Sequence, residues 1–305
     1  MIYEKLILAI FCILFLGKLS AQTVKVDEHS FYKDRISKAP QSVFEKFIEA
    51  GMQPTNHELP ETEKVKVGKA FAILPPLYKK VLKEHLQSIS FMDNMPNTAL
   101  TSTLETTGSS KQFNITFRAG ILNETISEWA TWKEKSVFDN SANPTIEIQI
   151  DAGKLDAIQY VLLHEATHVV DAVLGFTPHA VEADSLVAHT EFTRNIWRLF
   201  NKPTAQFTNP TLEKTRFRSG KIQPITSASE IYNTLKTTPF TSLYGMASWY
   251  EDAAELITIY HLTQKLNQPF VVYVKENGKV ISRFEPMTNA LVKQRAKKLN
   301  FLYVK

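Results

Sequence analysis

The chain of 305 residues has one cysteine, Cys12, and it lies inside an apolar run near the N-terminus. Beyond that run there is no cysteine at all. This excludes a disulfide framework, a thiolate metal site and a cysteine nucleophile. Long runs of one charge are also missing. Lysine and arginine number 35, aspartate and glutamate 31, and the formal net charge is only +4. No basic stripe interleaved with aromatics is present, so nucleic-acid binding is not indicated. No internal repeat stands out. The apolar run itself, residues 6–16, falls short of the roughly 20 residues a membrane-spanning helix needs. It follows Lys5 and precedes Leu19-Ser20-Ala21, which places a small residue ahead of Gln22. Residues 1–21 therefore read as a secretory signal peptide, with an uncleaved anchor as the plain alternative. Ala9-Ile10-Phe11 lacks the small residue expected before a lipid-modified cysteine. The expectation is a secreted or periplasmic protein with no stable membrane insertion after cleavage.

What is present suits a globular protein. Hydrophobic residues make up 44% of the chain and charged residues 22%, enough for a sizeable core. Residues 22–112 predict a mainly helical N-terminal region of unassigned role, with helical stretches at 42–52 and across 69–93 after Pro75-Pro76. A Thr/Ser-rich tract follows at 98–111. Alternation predicts strands at 113–122 and 144–152, where Ile146, Ile148 and Ile150 share one face. From Lys154 to Leu174 the period becomes helical, and Gly175 is a natural stop. Further helices are expected at 182–200, from Ser248 to Leu266, and at about 287–300, the last with a solvated basic face. Asn277-Gly278 between two alternating runs predicts a hairpin over 271–284. Residues 113–305 are expected to form one catalytic domain.

The central motif is His164-Glu165-Ala166-Thr167-His168. On a helix, residues four apart lie one turn above each other, so both imidazoles can share one metal ion. Glu165 is displaced around the helix from the first histidine. It can reach a water on the metal without ligating the metal, which suits a general base. Asp171 continues the same face at i+7. It could orient an imidazole N–H, serve as a third ligand, or be an ordinary solvated aspartate.

A catalytic zinc site needs a third protein ligand and an open position. The first motif is not extended to a third histidine, because position 171 is aspartate and position 174 leucine. His179 and His189 lack motif spacing, as do His57, His85 and His261. The stronger candidate lies in Tyr244-Gly245-Met246-Ala247-Ser248-Trp249-Tyr250-Glu251-Asp252-Ala253-Ala254-Glu255. Carboxylates crowd the start of a helix whose next residues are apolar, which is unfavourable unless a cation compensates. Glu251 could instead close a capping box with Ser248, and Tyr244 could be a packed loop aromatic.

HEATHVVD together with YGMASWYEDAAE resembles the gluzincin zinc metallopeptidases of the anthrax lethal factor type. In those proteins a Tyr-Gly precedes an E-x-x-A-E helix by seven residues from tyrosine to ligand glutamate, the step between Tyr244 and Glu251. The resemblance implies Zn²⁺ held by His164, His168 and Glu251, with Glu165 as base. It implies that Tyr244 donates a hydrogen bond to the reacting oxygen and that Glu255 is the partner of a ligand histidine. It covers two short blocks within about 155–265 and nothing in 22–150. The implied fold is α+β, a zincin-like domain with a mixed sheet and an active-site helix. The implied function is hydrolysis of a peptide or protein substrate. An exported zinc-binding protein without catalysis, used for adhesion or partner recognition, is the competing expectation. The presence of Glu165 argues against it.

Overall fold

The computed structural model describes residues 31–104, 111–179 and 186–304, so the expected signal at 1–21 lies outside the described residues. Helices and a mixed sheet are combined, as expected. Helices α2 (Glu61–Ala72), α3 (Pro76–His85) and α4 (Ile126–Lys135) pack against a longer helix, α5 (Ala157–Leu174), while α1 (Gln41–Glu49) packs through Val43 and Phe47 on a separate cluster with Met92 and Met95. Fourteen of the eighteen residues of α5 are buried, so it is the central helix and not an amphipathic surface one. Asp156 caps its start, where the Gln159 side chain accepts from the Asp156 N–H at 3.1 Å. Gly175 ends it in the left-handed region at φ +70°, a conformation open to glycine at little steric cost.

A four-stranded sheet runs in the order β1 (Thr55–Asn56), β2 (Leu86–Asp93), β4 (Gln112–Arg118), β3 (Ala99–Leu104). Strands β2 and β4 are parallel, and the other pairings are antiparallel. The described part of residues 22–112 carries the expected helices and, in addition, three of these strands. The helix expected across 69–93 stops at His85. From Leu86 the chain pairs with β4, and tertiary pairing overrides the helical pattern. Strand β4 follows the alternation expected from residue 113 and ends at Arg118, and its polar side chains satisfy those of β2 inside: Ser90 with Thr116 at 2.9 Å, Thr116 with Asn114 at 2.8 Å, and Asn114 with Ser88 at 2.9 Å. The Thr/Ser-rich tract contains edge strand β3. The expected boundary at 112/113 falls at the start of β4, and one hydrophobic core holds Phe71 and Ile89 on one side of it and Val161 and Leu256 on the other.

A second sheet of three strands follows the expected alternation. Ile146–Asp151 buries its three isoleucines and exposes Glu147, Gln149 and Asp151. It pairs with Val271–Glu276, which pairs with Lys279–Phe284. The hairpin turns on Asn277 and Gly278, both at positive φ, as a two-residue turn requires.

Two expected helices are corrected. Residues 180–185 lie outside the described residues, but the remainder of 182–200 is irregular and ends in a short strand, Trp197–Leu199. Thr190 and Thr193 bond each other's backbone N–H groups there, which competes with helix formation. At the C-terminus the helix spans only Ala290–Ala296 before tightening to 3-10 turns over Lys297–Tyr303. Its basic face is not wholly solvated, because Arg295 is buried. The helix expected from Ser248 is present as Trp249–Gln264. Among the described residues no helix is long and apolar enough to cross a membrane.

Candidate metal centre

The Trp249–Gln264 helix packs against α5, and their contact brings the two sequence blocks together. His164, His168 and Glu251 each offer one ligand atom, and the three atoms lie within 4.8 Å of one another. Glu251 Oε2 is 3.1 Å from His164 Nε2 and 3.7 Å from His168 Nε2. Ligand atoms about 2.0–2.1 Å from a tetrahedral metal stand roughly 3.3 Å apart, so both separations bracket that edge length. This half-buried group of two imidazoles and a carboxylate could hold a metal ion.

The helix cap and the candidate ligand Glu251 share the same turn. The Ser248 hydroxyl accepts from the Glu251 N–H at 3.3 Å and so caps the helix. The Glu251 carboxylate does not complete the capping box; it turns to the imidazoles of α5. Electrostatics follow from that geometry. Burial works against the charged form of His164, yet Glu251 and Glu255 outweigh it and raise its pKa to about 10. His168 is raised for the same reasons, with Glu251 its main partner. Glu251 itself is held well below the usual carboxylate range by the two imidazoles, against the effect of burial. In metal-free protein the carboxylates thus favour a proton on His164, a charge that a divalent ion would replace.

Glu255 sits beneath His164. Its Oε1 is 3.1 Å from His164 Nδ1, a close contact that is poorly aligned as a hydrogen bond. The same carboxylate accepts from Tyr160 at 3.0 Å and from Ser242 at 2.7 Å. Burial would raise its pKa, but Lys133 and His164 bring it down to about 2. Glu255 is therefore a fixed anion behind the imidazole of His164. Asp171 is placed differently. Both of its oxygens are taken by Thr177, one by the backbone N–H at 2.7 Å and the other by the hydroxyl. It ties down the chain after Gly175 and makes no hydrogen bond to an imidazole among the described residues.

Glu165 lines the cleft beside the three ligand atoms. Thr101 on β3 donates to Glu165 Oε2 at 2.6 Å, which fixes the carboxylate and leaves the other oxygen available. Tyr244 lies in a 3-10 turn with its ring stacked on His164 at 5.9 Å. Burial and then the facing Glu251 and Glu165 carboxylates hold its phenol protonated. Thr101, Tyr160 and Ser242 carry no motif of their own. Only the fold brings them to the site, so no local signal could have found them. Comparison with family models, with curated proteins and with solved structures finds no match for this chain.

Proposed function

We propose that this chain is an exported zinc-dependent peptidase of gluzincin type with a zincin-like catalytic fold. The observation that carries the reading is the convergence of His164, His168 and Glu251 at tetrahedral spacing on an open cleft, with Glu165 beside them. Two imidazoles and one carboxylate are a donor set for catalytic zinc that leaves a position open. Zn²⁺ bound there would acidify a coordinated water toward a pKa of about 7 and polarise a carbonyl.

The other roles belong to the chain. Glu165, steadied by Thr101, accepts a proton from the attacking water and delivers it to the departing amine. Tyr244, kept protonated, donates toward the oxygen on which negative charge develops. Glu255 holds the ring of His164 in orientation. Edge strand β3 runs along the cleft through Ala99, Leu100 and Thr101, so an extended peptide has a strand edge to lie on. Export rests on the composition of residues 1–21.

The test is a comparison of parent and Glu165→Gln. We expect about one zinc per chain in both by elemental mass spectrometry. Hydrolysis of a peptide mixture is expected to fall by at least about 100-fold in the variant, the lower range for loss of a general base. A folded, metal-replete parent without zinc would sink the enzyme reading.

A further inference from the structure

Glu165 and Tyr244 line two adjoining cavities of unlike character. One, about 450 Å³, also contains His168, Asp171, His179 and Glu251. The other, about 500 Å³, is walled by Trp129, Trp132, Phe217 and Tyr244 and contains Lys133 and Arg216. Among the described residues its only carboxylate is Glu165. The base thus stands between a side that holds His168 and Glu251 and a side that holds Lys133 and Arg216.

The two cations of the second cavity are incompletely satisfied. Lys133 Nζ sits 3.7 Å above the Tyr244 ring centroid and 5.3 Å from that of Trp129. It is 3.9 Å from Glu255 Oε1, too far for a hydrogen bond, and the Glu255 oxygens already have Tyr160, Ser242 and His164. An ammonium has three donors, and among the described residues this one has ring faces and a distant anion but no acceptor. The Lys133 side chain is only 21% exposed, so water supplies the missing acceptors poorly. Arg216 spends one nitrogen on the Ser136 carbonyl at 2.8 Å and pairs with no carboxylate among the described residues. Its neighbour Arg218, by contrast, is closed by Glu213 at 3.0 and 3.2 Å.

We propose that this cavity takes a carboxylate of the peptide substrate, with Lys133 and Arg216 as its partners. The inference rests on the peptidase reading for the identity of the ligand. An ammonium over an aromatic wall together with an exposed guanidinium fork matches a carboxylate in charge and in donor geometry. Two sources share that chemistry, an Asp or Glu side chain next to the cleaved bond and the free C-terminus of a short peptide.

A peptide library made in two forms, with free C-termini and with amidated ones, separates them. It is offered to the zinc-loaded parent, with cleavage read by mass spectrometry. It is also offered to zinc-loaded Glu165→Gln, with retained peptides read the same way. The expected result is an enrichment of about tenfold or more, the range for a charge-assisted hydrogen bond. Enrichment for Asp or Glu at one position in both libraries identifies the side chain. Enrichment of the free-acid library alone identifies the C-terminus. Arg216→Glu, at an exposed position that leaves the core intact, should erase the enrichment while zinc content stays at parental level. Retention or cleavage with no preference for a carboxylate overturns the proposal, as does a preference that survives both Arg216→Glu and Lys133→Met. If Glu165→Gln retains acidic peptides but the parent cleaves none, the subsite stands and the peptidase reading falls.

Discussion

Glu251 and Asp252 are adjacent in the first turn of one helix, yet they end in unlike surroundings. Asp252 is fully buried and faces Arg295, whose two nitrogens approach its oxygens at 2.8 and 2.6 Å, while the Trp197 indole N–H donates at 2.7 Å. Arg295 spends a further bond on the Pro239 carbonyl. Every partner in that set is covalently part of the chain, so nothing is left to exchange. Glu251 faces two imidazoles across a cavity, and its compensating charge is a proton on His164, whose pKa it helps to raise. Protons can be replaced by a metal ion; a guanidinium cannot. The difference teaches that a buried carboxylate marks a ligand site only when its counter-charge is removable.

The largest effects should come from breaking each side in turn. Asp252→Ala strands a buried guanidinium and should lower stability by about 3–5 kcal/mol, seen as a fall in Tm. The protein that stays folded should still bind one zinc. Glu251→Ala should do the reverse. Zinc affinity, measured by competition with a chelator, should fall by more than roughly 100-fold, because a direct ligand is worth more than an outer partner. The metal-free Tm should move less than in Asp252→Ala. If Asp252→Ala sheds zinc without loss of stability, the division between the two carboxylates is wrong.

Protons provide the next test. In metal-free protein the His164 pKa is raised to about 10 by Glu251 and Glu255, which overcome burial. A group raised on folding contributes stability that is full below its unfolded pKa, about 6.5, and is lost as pH climbs toward the folded value. The metal-free Tm should therefore fall between pH 6.5 and 10. Zinc requires the same nitrogen without its proton, so zinc affinity should rise over that window. Opposite slopes are expected, and a metal-free Tm that is flat in pH would show that these imidazoles carry no extra protons. Glu255→Gln removes one of the anions and should weaken zinc binding by about 10–100-fold, as losses behind a ligand histidine do. An unchanged affinity would reduce Glu255 to a packing residue.

The sequence held the local parts of this site and not the long-range ones. His164, Glu165 and His168 were legible because a single helix sets their spacing, and Glu251 because acids crowd an otherwise apolar helix start. Only the resemblance, through the step from Tyr244, set Glu251 apart from Asp252; the crowding of acids did not. That choice is made by Arg295, 43 residues further on and expected on a solvated face. The same limit explains the fold. The hairpin at Asn277-Gly278 and the alternating Ile146–Asp151 strand announce themselves through turn chemistry and period. Strands β2 and β3 do not: the Leu86–Asp93 segment continues a helical pattern and its serines are satisfied from β4, while β3 lies in a Thr/Ser-rich tract whose Thr101 is bonded to Glu165 on another element. Asp171 shared the right helix face but lost its carboxylate to Thr177, a partner that only the chain reversal after Gly175 supplies.

The smallest effect is expected at Glu165. Glu165 is intermediate between its two counterparts: one oxygen is fixed by Thr101 at 2.6 Å, as Asp252 is fixed by Arg295, and the other is left open, as Glu251 is to exchange. A base needs both conditions, a set orientation and a free acceptor. Thr101→Val keeps the shape of the side chain and removes the donor. One neutral-to-charged hydrogen bond is worth about 1.5–3 kcal/mol at most, so turnover should drop by roughly 3–30-fold when part of that loss is recovered by water. Zinc content and Tm should stay near parental values, because Thr101 touches no ligand and lies on an edge strand. Thr101→Ser restores the hydroxyl and should restore turnover. A loss in Thr101→Val that serine does not repair would place the effect in the packing of β3 against α5, and the orientation of Glu165 would then owe nothing to this bond.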